Sequence, residues 1–166
     1  GPVWIDVPLD VQGAFIDPSK LRRFTPENKV LSPDLESLKK MLEKATRPII
    51  LAGNGVRLAG ASEEIKEFAE RHNIPVVTTF LSADLLPSDH ELNIGRVGIK
   101  GNRAANFAMQ NSDFLLSIGC RLSVPATGYN YDYFAREANV AVVDIDPEEH
   151  KKDTIKIDLF IEMDAK

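Results

Sequence analysis

Two rhythms of apolar positions alternate along the chain. Leu35, Leu38, Met41, Leu42 and Ala45 fall at helical spacing, so one stripe of a helix faces a core. Ser32-Pro33-Asp34 ahead of them offers an N-cap, a proline at the first helical position and an acid that suits the helix dipole. Pro48 stands just past that helix, and Ile49-Ile50-Leu51-Ala52 is an unbroken apolar run that reads as a strand covered on both faces. The unit then recurs. A helix from about Ser62 to His72, with Ile65, Phe68 and Ala69 inward, leads to a strand from Ile74 to Phe80. A looser segment with Pro87 follows, and Gly95, Gly98 and Gly101 precede a helix carrying Ala104, Ala105, Phe107, Ala108 and Met109. Phe114 to Gly119 is the third strand. A short helix near Tyr133 to Ala138 leads to the fourth, Val140 to Asp146, and Thr154 to Ile157 is a candidate fifth. Strands alternating with helices of this length predict right-handed crossovers and an α/β, doubly wound, mainly parallel Rossmann-like sheet. About five or six strands with helices on both faces are expected.

The start of the chain follows a different pattern. Val3 to Val7 reads as a short strand closed by Pro8, and Gly13 to Leu31 has little periodicity, as in a linker crossing a surface. The opening Gly1-Pro2-Val3 carries no Met and is expected of a processed chain, of the scar a removed tag leaves, or of a piece of a longer chain.

Composition narrows the function. With 166 residues, 43% of them hydrophobic and 27% charged, one soluble globular domain is expected. Twenty Lys and Arg against 25 Asp and Glu give a net charge of -5 with no basic run, which argues against duplex binding. Cys120 is the only cysteine, so no internal disulfide forms, and no clustered His/Cys pattern offers a zinc site. No apolar stretch approaches the ~20 residues a bilayer requires, and a cytoplasmic protein is expected.

In an open parallel sheet, ligands bind beyond the carboxyl ends of the strands. Gly53-Asn54-Gly55 follows the first strand, and its glycines let backbone approach a ligand or serve only the turn. Gly98-Ile99-Lys100-Gly101 feeds a helix whose free N–H groups suit a phosphate, with Lys100 and Arg103 adding charge; its competitor is Asn102 as a simple N-cap. Arg121 ends the third strand, where a guanidinium suits phosphate or carboxylate, or an ion pair with a neighbouring acid. Asp144-Ile145-Asp146 ends the last long strand; an acid there suits ribose hydroxyls, while Asp146 also suits capping of the next turn. His72, His90 and His150 read as surface residues, Cys120 as a small buried hydrophobe, and the Tyr129, Tyr131, Tyr133 run as packing. No catalytic serine elbow or HExxH helix is present.

Five segments in order, Gly1 to Gln12, Arg47 to Gly55, Ala105-Asn106 with Asp113, Ile118 to Arg121, and Val143 to Pro147 with Lys151, resemble the central domain of thiamine diphosphate-dependent enzymes of the acetolactate synthase type. The resemblance implies that residues 1–12 are the last strand and exit of a pyrimidine-binding domain, 13–31 a linker, and 32–166 the central domain. It implies thiamine diphosphate and Mg2+ in the parent enzyme, held by other domains, because the GDG motif that the family uses for magnesium and diphosphate does not occur here. The parent would be a carbon–carbon lyase or synthase, a homo-oligomer of two or four subunits, and this stretch alone would be inactive. Some members bind the ADP part of FAD in this domain, and the resemblance places Gly98 to Gly101, Arg121 and Asp144 to Asp146 along that site. Flavin binders of the synthase type continue after the arginine with Phe-Asp-Asp-Arg, whereas this chain has Leu122-Ser123-Val124-Pro125, a departure that weighs against FAD. The competing reading is a stand-alone module for an adenine nucleotide.

Overall fold

A computed structural model describes residues 2–24 and 33–166, which fall into two separate units. The smaller holds a helix α1, Leu9–Gln12, and a 3-10 turn, Pro18–Lys20. The strand expected over Val3 to Val7 does not form: Trp4 is 92% exposed and no ladder partner lies beside these residues among those described. A lone strand leaves its backbone donors and acceptors unpaired, so nothing favours the extended ladder geometry here.

The larger unit follows the predicted alternation. Helix α2, Leu35–Lys44, starts one residue after Asp34, whose carboxylate accepts the Ser37 amide at 3.0 Å and is the cap. Ser32, the expected cap, lies outside the described residues. Strand β1, Pro48–Ala52, is followed by α3, Asn54–Leu58, and α4, Ser62–His72. Helix α4 ends at Asn73 in the left-handed conformation, φ 50°, a C-terminal stop that asparagine tolerates. Strand β2, Val76–Thr78, is shorter than the expected 74–80, because Phe80–Ser82 turns into a 3-10 helix in which Ser82 Oγ donates to the Ala52 carbonyl at 2.7 Å. Then come β3, Asn93–Arg96; α5, Arg103–Asn111; β4, Phe114–Ile118; α6, Val124–Thr127; β5, Asn139–Asp144; and β6, Leu159–Glu162.

Three expectations need correction. The short helix near Tyr133 to Ala138 is a 3-10 turn at Tyr131–Tyr133, and Ala135 takes φ 43°, which no helix continues through. The strand expected over Thr154 to Ile157 lies further on, at Leu159–Glu162, where Phe160 and Ile161 pair with Val142 and Val143. Strand β3 carries no apolar run in its Asn-Ile-Gly-Arg sequence and gave no strand signal.

All six strands are parallel, in the order β3-β2-β1-β4-β5-β6. One face, carrying Ile50, Val76, Phe114, Leu116 and Val143, packs on α2 and α4 through Leu38, Met41, Ile65 and Ala69. The other, carrying Leu51, Val77, Leu115 and Val142, packs on α5 through Ala105 and Met109. Near the amino ends of β1 and β4, Asp113 accepts the amides of Thr46 at 2.9 Å and Arg47 at 2.8 Å. The chain leaves β1 toward β2 and β3, then returns to the other side of β1 at β4. That reversal between β1 and β4 is the topological switch point, where such sheets place ligands.

Candidate functional site

Gly53, Asn54 and Gly55 leave β1, and Gly119 to Arg121 leave β4, so the structure brings these two groups together at the switch point. They meet backbone to backbone. The Gly53 amide donates to the Ile118 carbonyl and the Gly55 amide to the Gly119 carbonyl, each at 2.9 Å. A Cβ on Gly53 would stand 2.1 Å from the Gly119 oxygen, and one on Gly55 2.6 Å from the Gly119 Cα. Gly119 itself sits at φ 57°. Glycine is therefore required here by the approach of one loop to the other.

The Gly98-Ile99-Lys100-Gly101 loop follows β3 and packs on α6. Gly98, at φ 90°, would place a Cβ 1.9 Å from the Pro125 oxygen. Three of its four amides are committed within the fold: Gly98 to Asn106 Oδ1 at 2.8 Å, Ile99 to the Pro125 carbonyl at 3.0 Å, and Gly101 to the Gly98 carbonyl at 2.9 Å. Asn102 caps α5 by accepting the Ala105 amide at 2.8 Å. Lys100 and Arg103 are exposed, and the Arg103 guanidinium lies over the Phe107 ring at 5.1 Å.

Arg121, with a side chain 75% exposed, reaches Glu149 at 3.1 Å, and Lys152 donates to both Glu149 and the Arg121 carbonyl. Asp144 ends β5 with one oxygen accepting the Asp146 amide at 3.0 Å. Burial pulls the Asp144 carboxyl up, but the His150 imidazole and the amides of Asp146 and Ile145 outweigh it and hold it below the ordinary carboxylate range. Asp146 accepts the amides of Glu148 and Glu149, at 3.0 and 3.3 Å, the geometry of its capping alternative. Ile145 between them is exposed. Gly119 donates to the Val143 carbonyl at 2.9 Å, which joins this group to the switch point.

Sequence reasoning missed the roles of His150 and Asn106, and it read Cys120 as the buried group it is. His150 is not a surface residue, since its side chain is 2% exposed, and no pattern in the sequence marks it. Asn106, one helical turn into α5, clasps Gly98 from both sides, donating to its carbonyl at 3.1 Å and accepting its amide. Cys120 is buried, and burial pushes its thiol up to about 11, so it is a neutral packing group at neutral pH and no thiolate nucleophile. At the opposite edge of the sheet a surface hollow is lined by Glu70 and His90, whose Nε2 lies 2.9 Å from Glu70. Among the described residues no group of three or more His, Cys, Asp or Glu side chains is placed to hold a metal, and no helix is long and apolar enough to cross a membrane.

Residues 35–166, which take in every strand of the sheet and the helices on both its faces, match the family described as "Thiamine pyrophosphate enzyme, central domain". The whole chain is 42% identical to a probable acetolactate synthase large subunit of Methanocaldococcus jannaschii and covers 29% of it. Ninety per cent of the chain is 40% identical to the acetolactate synthase large subunit of Corynebacterium glutamicum, covering 24% of that protein. The whole chain is 35% identical to the Lactococcus lactis acetolactate synthase large subunit and covers 29% of it. The chain thus spans less than a third of the length of each of these relatives. With its fold and its sequence in agreement, the chain belongs to the thiamine pyrophosphate enzyme central-domain family.

Proposed function

We propose that this domain is the structural body of an enzyme of the acetolactate synthase type, inert by itself and working by holding catalytic domains in place. The parent would join or split carbon–carbon bonds next to the carbonyl of a 2-oxo acid, with thiamine diphosphate supplying the electron sink when bound. The GDG motif that the family uses for magnesium and diphosphate does not occur in this sequence, and we assign the cofactor's site to other parts of the parent. Residues 1–12 would close a preceding pyrimidine-binding domain and 13–31 would link it to the rest. The parent would be cytoplasmic and a dimer or tetramer, and the exposed Leu58 at the end of α3 and Phe80 and Leu81 in the 3-10 helix after β2 support a surface that other parts cover.

One observation carries the scaffold reading. The backbone donors of both glycine loops, at Gly53, Gly55, Gly98, Ile99 and Gly101, are spent on the protein's own carbonyls and on Asn106. A phosphate cradle needs such donors free. The second reading, an adenine-nucleotide site, rests on the exposed Lys100 and Arg103 and on Arg121 along the same rim, which would hold phosphates by side-chain charge alone. Calorimetric titration of the chain with FAD, NAD, ADP and CoA separates the two. The scaffold reading expects no binding tighter than ~10 µM, roughly 7 kcal/mol; tighter binding by any of them overturns it in favour of the second.

A further inference from the structure

His150 and Asp144 form a pair that no motif announces. Asp144 closes β5, and His150 lies in the 3-10 turn Glu149–Lys151. The imidazole packs on the Phe160 ring of β6, centroids 5.3 Å apart, and its Nε2 stands 3.4 Å from Asp144 Oδ2. Neither ring nitrogen has a hydrogen-bond partner of good geometry, although both are buried. Cys120, from the exit of β4, is a neutral thiol near this carboxylate, and Glu162, the register partner of Asp144 on β6, brings a second carboxyl group beside it. Beside His150 in its own turn, Glu149 pairs with Arg121 and Lys152.

A buried ring nitrogen without a partner carries a desolvation cost that an apolar side chain beside Phe160 would avoid. Packing alone therefore does not account for an imidazole at this position. We propose that His150 is a positioning residue whose Nε2 carries a proton and, 3.4 Å from Asp144 Oδ2, faces that carboxylate as a close polar contact rather than an aligned hydrogen bond. The contact holds the carboxylate ionised and turned so that Oδ1 keeps the Asp146 amide. The loop from Ile145 to Glu149 is thereby fixed at the rim, and with it the Glu149 carboxylate that holds Arg121 and Lys152. His150 acts through Asp144 and touches no ligand, so the proposal stands whether the rim is a scaffold surface or a nucleotide site.

The test follows the Asp144 carboxyl carbon by NMR through an acid titration of the chain, with Asp146 amide exchange measured on the same samples. His150→Gln offers an N–H donor in place of Nε2; His150→Leu fills the space without one. The Asp144 midpoint is expected below the ordinary carboxylate range in the wild type and in His150→Gln. In His150→Leu it is expected to rise by about one pH unit while Asp146 exchange quickens about tenfold. An unmoved midpoint and unchanged exchange in His150→Leu overturn the proposal, as does an equal rise in both variants. Should His150→Leu fail to fold, the ring 15N shifts of the wild type decide: a protonated Nε2 upholds the proposal and a bare Nε2 overturns it.

Discussion

The switch point and the β5 rim hold the chain in different ways. At the switch point, Gly53, Gly55 and Gly119 let two loops meet through backbone atoms, with no side chain between them. At the β5 rim, Asp144, His150, Glu149, Lys152 and Arg121 make contacts through side chains, of which Arg121 is largely open to water and Lys152 partly so. Backbone-to-backbone packing tolerates no added atom, because nothing there swings aside, whereas charged side chains rearrange and exchange partners with solvent. The first region should therefore respond to mutation in an all-or-none way and the second by degrees.

The largest effect is expected from Gly53→Ala. Its backbone, φ -96° and ψ 178°, suits any residue, so the whole cost is the collision of Cβ with the Gly119 carbonyl. A loss above ~4 kcal/mol, or no cooperative melt, is expected by thermal denaturation followed by circular dichroism. Gly60→Ala is the control that sharpens this. Gly60 has φ 67° but nothing within 4 Å of a new Cβ, so only the left-handed backbone is penalised, by about 1 kcal/mol. Equal losses in the two would break the comparison.

Asp144→Asn comes next. It removes the charge facing His150 and weakens the hold on the Asp146 amide, and a loss of about 2 kcal/mol in a denaturant melt is expected. The same carboxyl gives a pH signature. Its folded pKa lies below the unfolded value, so its stabilisation is complete above the unfolded carboxylate range and disappears as pH falls through the folded value. Melts of the wild type between about pH 5 and 2 should fall more steeply than those of Asp144→Asn, and parallel curves would contradict the assignment. The smallest effect is expected from Arg121→Ala, whose exposed ion pair with Glu149 is screened by water; stability should stay within about 0.5 kcal/mol.

The sheet was largely legible because its strands are buried on both faces and read as apolar runs: Ile49 to Ala52, Phe114 to Ile118 and Val140 to Val143. Strand β3 was not, since an edge strand with Asn, Gly and Arg carries no such run. Strand β6 was placed too early, where Thr154 and Ile155 offer β-branched residues but the ladder begins at Leu159. The candidate site was legible as places and not as partners. The glycine loops stand out in sequence, yet that Gly53 and Gly55 oppose Gly119 depends on β1 and β4 being neighbours although their paired residues lie 66 positions apart. His150 was hidden for the same reason: a charged turn reads as surface until β6 brings Phe160 beneath it.

The account rests on the amides of the first glycine loop belonging to the fold. Hydrogen exchange at Gly53 and Gly55, measured with and without saturating ADP, tests it directly. Protection close to that of the core strands, unchanged by the nucleotide, is the expected result. Fast exchange at both, or a slowing once ADP is added, would show donors free to receive a ligand and would contradict it.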